Sequence, residues 1–347
     1  MIRTALIGFG LGGESFHAPL IACTPGLTLA TIVTSNPTRR ERAKREHPQA
    51  RLEDSAEGVW RRAREHDLAV VTTSNRSHVP LALAALAVGL PVVVDKPFAP
   101  TAVQAQEVIA EAQRRKLLAI PYHNRRWDSE LLTVKRLLAE GSLGDVLRFE
   151  SRLERWRPLP KEGWRELGSP EEAGGLLYDL GSHLIDQALH VFGPVTQVYA
   201  ELDRRRAGVE VDDDMFLALT HASGVRSHLT ASVMAAIPAA RMRVLGSKAA
   251  YKKVHADVQE EALRSGRTPR EPGWGEEPPE NWGLLGVGDQ ARPVCSEPGA
   301  YQRFYEGVVA ALRDGAPPPV DPEDAVKGLE IIEAAQRSAS QQQVITL

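Results

Sequence analysis

The stretch Ile2-Arg3-Thr4-Ala5-Leu6-Ile7-Gly8-Phe9-Gly10-Leu11-Gly12-Gly13 decides the fold. Its first half is a short apolar run, the length of one buried strand. Its second half fits G-x-G-x-x-G, with glycines at positions 8, 10 and 13, and the segment from Gly13 to Cys23 suits a helix. In a strand–turn–helix each glycine has a task. Gly8 permits the tight turn, Gly10 lets the backbone approach a pyrophosphate, and Gly13 allows the helix to pack closely on the strand. The start of the helix offers N–H groups to an anion. The competing assignments are an ordinary strand–helix turn and a turn holding S-adenosylmethionine.

The same rhythm continues outward. Strands are expected at Leu27 to Thr34, Leu68 to Thr73, Pro91 to Val94 and Leu117 to Tyr122. Helices are expected between them at Pro37 to Glu46, Val79 to Val88 and Thr101 to Lys116. Uninterrupted Val, Ile and Leu runs separated by helices mark a parallel sheet covered on both faces. The fold class is therefore an α/β Rossmann domain with a doubly wound parallel sheet, over residues 1–123. After Asn124 the pattern changes. A helix at Ser129 to Glu140 is followed by strand-like segments at Val146 to Trp156, Val195 to Leu202, Met215 to His221, Val225 to Val233, Arg241 to Leu245 and Ala249 to Val254. Short turns such as Ala222-Ser223-Gly224 join several of them. Residues 124–347 thus read as an α+β domain with a largely antiparallel sheet. Gly266 to Gly286 reads as a long ordered loop, and two helices, Tyr301 to Arg313 and Pro322 to Ser338, follow.

Composition sets bounds on function. The chain has 347 residues, a formal net charge of -3, and only two cysteines, Cys23 and Cys295. That excludes a disulfide framework and points away from nucleic acid and anionic membranes. With no membrane span and no signal peptide in view, a cytoplasmic location is expected.

The end of the second strand reads Val33-Thr34-Ser35-Asn36-Pro37-Thr38-Arg39-Arg40. An acid there would bind a ribose 2′-hydroxyl and favour NAD. None is present, and Arg39 and Arg40, with Ser35, suit a 2′-phosphate. NADP is the expected cofactor, with NAD possible. The alternative puts both arginines on a solvated helix face.

Chemistry is expected at two further places. Asp95-Lys96-Pro97 ends a buried strand at the ligand-facing edge of the sheet, although a surface lysine before a turn would look the same. Tyr178-Asp179-Leu180-Gly181-Ser182-His183-Leu184-Ile185-Asp186 sets Asp179 and His183 four residues apart, on one face if helical. Oxidising an alcohol requires a base for the hydroxyl proton. Histidine suits that task, and a neighbouring carboxylate can orient it. A nearby lysine can stabilise the developing alkoxide. A capping Asp and a buried core His form the bland alternative. No further His or Cys cluster accompanies the pair, so no metal is expected. At the domain junction, Tyr122, His123, Asn124, Arg125, Arg126, Trp127 and Asp128 suit a hydroxyl-rich substrate, with Arg126 and Asp128 equally well read as a salt-bridged linker. Trp156-Arg157 and Trp164-Arg165 could line the same cleft. The Arg204 to Arg206 and Asp212 to Asp214 runs read as solvated turns.

Together, the glycine turn, Asp95-Lys96-Pro97 and Asp179-x-x-x-His183 resemble the Gfo/Idh/MocA oxidoreductases over the whole chain. Within that family, GFGLGGESFHAPL (8–20), YHNRRWD (122–128), LYDLGSHLIDQ (177–187) and GSKAAY (246–251) are most similar to NADP-dependent scyllo-inositol dehydrogenases. The resemblance implies Lys96, Asp179 and His183 as the catalytic set. It implies cofactor contacts from Thr73, Ser74, Asn75 and His78, which join Gly8, Gly10, Gly13, Ser35, Arg39, Arg40, Asp95 and Lys96 as the expected cofactor-binding set. Tyr122, Asn124, Arg157 and Trp164 are the residues expected to face the polyol or sugar. The resemblance also implies a cis Lys96–Pro97 bond and a homodimer or homotetramer. Two features depart from the family: Asp95 stands where Glu is usual, and Ser35-Asn36 where Ser-Arg is common. A different sugar or polyol substrate, or a non-catalytic dinucleotide-binding regulator, is the alternative function.

Overall fold

The spacing of the apolar runs is realised as a parallel sheet. In the computed structural model, which describes residues 1–160 and 172–347, six strands form it: β1 (Ile2–Ile7), β2 (Leu27–Val33), β3 (Arg51–Glu53), β4 (Leu68–Val71), β5 (Val92–Asp95) and β6 (Ala119–Tyr122). Their lateral order is β3-β2-β1-β4-β5-β6, and every pairing is parallel. The winding reverses between β1 and β4, so the ligand crevice of such a sheet lies at the carboxyl ends of those two strands. Val70, Val71, Val93 and Val94 are fully buried, as strands covered on both faces require.

The connecting helices start and stop where local chemistry dictates. The first is α1 (Ala18–Cys23), preceded by a π-helical turn over Gly13–His17. In α2 (Pro37–Glu46) the Asn36 side chain accepts the Arg39 N–H at 3.0 Å, and Pro37 occupies the first helical position. After the short α3 (Ala56–Trp60) come α4 (His78–Ala87) and α5 (Ala102–Arg115). Thr101 Oγ1 caps α5 through the Gln104 N–H at 3.2 Å, and Lys116 ends it in the left-handed region at φ 58°.

The second sheet has nine strands in the order β14-β13-β12-β11-β7-β10-β9-β8-β15. Helix α6 (Ser129–Ala139) leads into β7 (Val146–Glu154). A π-helical turn over Leu177–Gly181 runs into α7 (Ser182–Phe192). Then follow β8 (Val195–Asp203), β9 (Asp214–His221), β10 (Arg226–Ser232), β11 (Met242–Gly246), β12 (Ala250–Lys253), β13 (Gly283–Gly286), β14 (Arg292–Val294) and β15 (Ile345–Thr346). The β7–β10 pair is parallel, and the other pairs are antiparallel. In β9, Met215, Leu217 and Leu219 are buried while Phe216, Ala218 and Thr220 face the other way, the period of two of a strand with one covered face.

Three helices close the chain: α8 (Gln259–Arg264), α9 (Gln302–Asp314) and α10 (Pro322–Gln341). The fold comprises two compact units. One contains Met1–Asn124, Gln259–Trp274 and Ala300–Val326. The other contains Arg125–Val258, Gly275–Gly299 and Lys327–Leu347. In the first unit α9 packs on α1, and α8 packs on the π-helical turn. Phe304 and Tyr305 of α9 meet Tyr122 with ring centroids 4.7 and 6.1 Å apart. Among the described residues no helix is long and apolar enough to cross a membrane.

Two expectations fail. The Gly266 to Gly286 loop ends in a strand, β13. A side chain at Gly283 would come within 2.3 Å of the Tyr251 ring, so a glycine is what lets the strand lie there. The Arg204–Arg206 and Asp212–Asp214 runs are not simply solvated turns. Arg206 Nε donates to Asp213 Oδ2 at 2.9 Å with both side chains buried, and Asp212 binds the backbone of another segment.

Candidate cofactor and catalytic sites

In the first unit the glycines do what a cradle needs. Gly8 has φ 105°, and a Cβ there would lie 2.3 Å from the Thr72 carbonyl oxygen. A Cβ on Gly13 would lie 2.3 Å from the Gly8 carbonyl oxygen, so these two glycines allow turn, strand and helix to close up. Gly10 differs: among the described residues, its chain neighbours aside, only the Arg39 guanidinium comes within 4 Å of its Cβ position, the nearest atom at 3.8 Å. Its backbone is thus open on the side where an anion would approach, and a cation stands nearby. The residues present fit a dinucleotide. Gly12, outside the motif, is equally constrained, since its Cβ would meet Thr72 Oγ1 at 2.6 Å and Asp95 Oδ2 at 2.8 Å.

The two arginines after β2 are not equivalent. Arg40 Nη1 donates to the Thr34 carbonyl at 3.2 Å and to Asp54 Oδ1 at 2.6 Å, which ties its charge to the protein. Arg42 is paired with Glu14. Arg39 is exposed and has no ion pair or side-chain hydrogen bond among the described residues. Ser35 is exposed beside it. Helical periodicity separates Arg39 from Arg40 by one position, which is enough to turn one toward the glycine turn and the other toward Asp54.

Beyond β4, Thr73 Oγ1 accepts from the Ser77 hydroxyl at 2.7 Å, Ser74 is partly exposed, and Asn75 is buried. His78 is buried, with Nδ1 2.8 Å from the Pro97 carbonyl oxygen and Nε2 3.3 Å from that of Thr73. It thereby braces the Lys96–Pro97 turn against the β4 turn. The Lys96–Pro97 bond is cis, as the resemblance implied. Asp95 Oδ1 accepts the Lys96 N–H at 2.8 Å, and Oδ2 accepts the Thr72 hydroxyl at 3.0 Å. Burial pushes the Asp95 carboxyl up, but His17, Lys96 and His78 outweigh it and hold the group well below the usual carboxylate range. Tyr122, expected to face substrate, is 2% exposed and packs against His17 with ring centroids 4.0 Å apart and planes tilted by 41°. That ring serves the interior of the unit.

In the second unit Asp179 lies in the π-helical turn and His183 in the first turn of α7. Asp179 is partly exposed and His183 is buried. Asp186, the other carboxylate near His183, is committed elsewhere. Arg126 Nε donates to its Oδ2 at 2.9 Å and Nη2 to its Oδ1 at 2.6 Å, a bidentate pair within the core. Gln187 Nε2 donates to the Arg125 carbonyl at 3.0 Å. The salt-bridged assignment of Arg126 and Asp128 is therefore the one realised, and Asn124 is buried. Arg157 follows β7 and is tied through its N–H to the Val233 carbonyl at 2.7 Å. Trp164 lies outside the described residues.

Sequence reasoning missed Asp212. Its Oδ2 accepts the Leu177 N–H at 2.7 Å and its carbonyl accepts the Leu176 N–H at 2.9 Å, so it caps the segment carrying Asp179 and His183. Gly175, at φ 90°, leaves room for it: a Cβ there would lie 2.1 Å from Asp212 Oδ1. Burial pushes the Asp212 carboxyl up to about 6, against the backbone N–H groups that hold it down. The Gly174-Gly175 pair was a visible signal of a close approach, but the partner lies in a distant loop.

Residues 2–123 match the model of the oxidoreductase family's NAD-binding Rossmann fold, and residues 135–347 match that of the oxidoreductase family's C-terminal alpha/beta domain, GFO_IDH_MocA_C. The chain is 37% identical to the uncharacterized oxidoreductase YdgJ of Escherichia coli (strain K12), covering 100% of this chain and 99% of that protein. It is 33% identical to the scyllo-inositol 2-dehydrogenase (NADP(+)) IolW of Bacillus subtilis (strain 168), covering 100% and 96%. Among solved structures, the oxidoreductase yvaA of Bacillus subtilis superposes with a TM-score of 0.92 at 32% identity, covering 100% of both chains.

Proposed function

Because the chain belongs to the Gfo/Idh/MocA oxidoreductase family, we propose that it is a dehydrogenase moving a hydride between NADP(H) and a secondary alcohol of a cyclic polyol, with scyllo-inositol as the first candidate. The observation that carries the cofactor assignment is the Arg39 guanidinium, unpaired among the described residues, beside the open face of Gly10, with no acid at the end of β2. The substrate assignment is supported by full-length similarity to a protein named for that substrate.

When bound, the nicotinamide supplies the hydride acceptor. The chain's own residues do the rest. His183 takes the hydroxyl proton, because a neutral imidazole is a base near physiological pH. Asp179, one helical turn before His183, orients the histidine or the substrate. Lys96 stabilises the oxygen as charge develops on it. Gly8, Gly10 and Gly13 hold the pyrophosphate, and Arg39 with Ser35 meets the 2′-phosphate. Thr73, Ser74 and Asn75 line the turn after β4, with His78 bracing it. Arg157 and Trp164 stay with the polyol. The same reading includes a cytoplasmic homodimer or homotetramer, which light scattering on the purified protein tests. The deciding experiment is a panel of polyols and sugars, each with NADP+ and with NAD+, followed at 340 nm. Reduction of NADP+ on scyllo-inositol is expected, and a flat trace across the panel overturns the proposal.

A further inference from the structure

Asp95 ends a chain of contacts that the proposed reaction does not use. His17 Nε2 stands 3.5 Å from Asp95 Oδ2, and His17 Nδ1 lies 2.6 Å from the Tyr305 hydroxyl. His17 and Tyr305 are both fully buried. Burial, with Tyr122 and Asp95 nearby, raises the Tyr305 phenol well above its ordinary value, so it keeps its proton and donates it. Nδ1 of His17 is then the acceptor, which leaves the ring proton on Nε2, facing Asp95. Around the carboxylate, the Thr72 hydroxyl, the Lys96 N–H and His17 Nε2 all present hydrogens. Of these only the Thr72 hydroxyl, by turning its own proton away, could accept a proton from Asp95; the Lys96 N–H and His17 Nε2 could not. The carboxylate also lies against the glycine turn, with Oδ2 only 2.8 Å from the Cβ position of Gly12.

We propose that His17 and Tyr305 are positioning residues for the cofactor crevice: together they keep Asp95 a fixed anion, and Asp95 in turn holds the glycine turn and the Lys96 amide in place. This rests on the reading of the first unit as dinucleotide-binding. His17 reaches Asp95 from the π-helical turn, Lys96 from the end of β5, His78 from α4 and Tyr305, through His17, from α9. His17 is the largest of the influences that oppose burial at Asp95. Without it, Asp95 takes up a proton at higher pH, and the turn above it must rearrange.

The test is fluorescence titration of the full-length protein with NADPH from pH 5 to 8.5. The variants are His17→Phe, His17→Gln and Tyr305→Phe, each expressed as a ratio to the unmodified protein at the same pH so that titration of the 2′-phosphate cancels. For His17→Phe the ratio should worsen by about tenfold between pH 8 and pH 5.5, the size of a one-unit difference in proton affinity. His17→Gln, which still offers an N–H toward Asp95, should give a flat ratio. Tyr305→Phe should show the same acid limb with smaller amplitude, and it carries the test if Phe at position 17 prevents folding. A ratio independent of pH in both His17→Phe and Tyr305→Phe, including a uniform loss of affinity, overturns the inference and leaves these residues with packing alone. Failure of the unmodified protein to bind NADPH or NADH overturns the functional reading, and this inference falls with it.

Discussion

Replacing Arg39 with alanine should separate NADPH from NADH, and replacing Arg40 should not. The contrast follows from where the two charges already go. The Arg40 guanidinium is held by Asp54 and the Thr34 carbonyl, whereas that of Arg39 is unpaired among the described residues and 3.8 Å from the Cβ position of Gly10. A charge-assisted hydrogen bond contributes roughly 1.5–3 kcal/mol. Arg39 is exposed, so the lower half of that range applies, about 1.5–2 kcal/mol, or about 10- to 30-fold in Kd. Arg39→Ala should weaken NADPH by that factor and leave NADH within about twofold, since an exposed charge with no partner contributes little else. Arg40→Ala removes a surface ion pair, so its effect on either nucleotide should stay below about fivefold. Titrations at low and high salt add a control, because the Arg39 contribution is screened over roughly 10 Å at 0.1 M. Equal losses of NADPH and NADH in Arg39→Ala would mean that this guanidinium serves the shared pyrophosphate. A larger loss of preference in Arg40→Ala would refute the reasoning outright.

Three further outcomes are expected. Lys96→Ala and His183→Ala should each abolish turnover at 340 nm while NADPH still binds by fluorescence, and near-normal kcat in both would put the chemistry elsewhere. Gly13→Ala places a methyl group 2.3 Å from the Gly8 carbonyl, so it should cost about 1–3 kcal/mol in thermal unfolding and weaken NADPH, with an unchanged melting curve as the contrary result. At Asp212 the folded-state value, about 6, lies above the unfolded one, so this group contributes stability that is complete below about pH 4 and lost as pH rises through 6. Asp212→Asn keeps an acceptor for the Leu177 N–H and should flatten that part of the pH dependence, by about 1–2 kcal/mol after allowance for partial exposure, in urea unfolding at pH 4.5 and pH 8. An identical slope in variant and parent would count against it.

Much of the first unit was legible because its signals are local. The run from Ile2 to Gly13 contains a strand, its turn and the start of its helix, and the Pro37 to Glu46 helix is bounded by its own cap and proline. The turn at Ala222-Ser223-Gly224 is equally self-contained. The strands that escaped, β3, β13, β14 and β15, are two to four residues long, too short for a period to show. The harder misses depend on residues far apart in the chain. Asp212 matters because it meets Leu177, 35 positions away, and Asp213 because Arg206 is folded back on it. His17 lies inside a quoted motif, but its partner Tyr305 is 288 positions downstream. Tyr122 read as a substrate contact because it ends a strand at a junction, and only the approach of Phe304 and Tyr305 shows that its ring is enclosed.

The late arrival of α9 has a consequence for how the protein is made. The strands and glycine turn of the first unit leave the ribosome early, yet Phe304 and Tyr305, which cover Tyr122 and engage His17, follow roughly 180 residues later. At about 5–20 residues per second, the nascent half waits roughly 10–40 s with that aromatic face open to solvent. For that interval it is a candidate for chaperone capture, and emergence of α9, rather than of the glycine turn, sets when the dinucleotide pocket is finished.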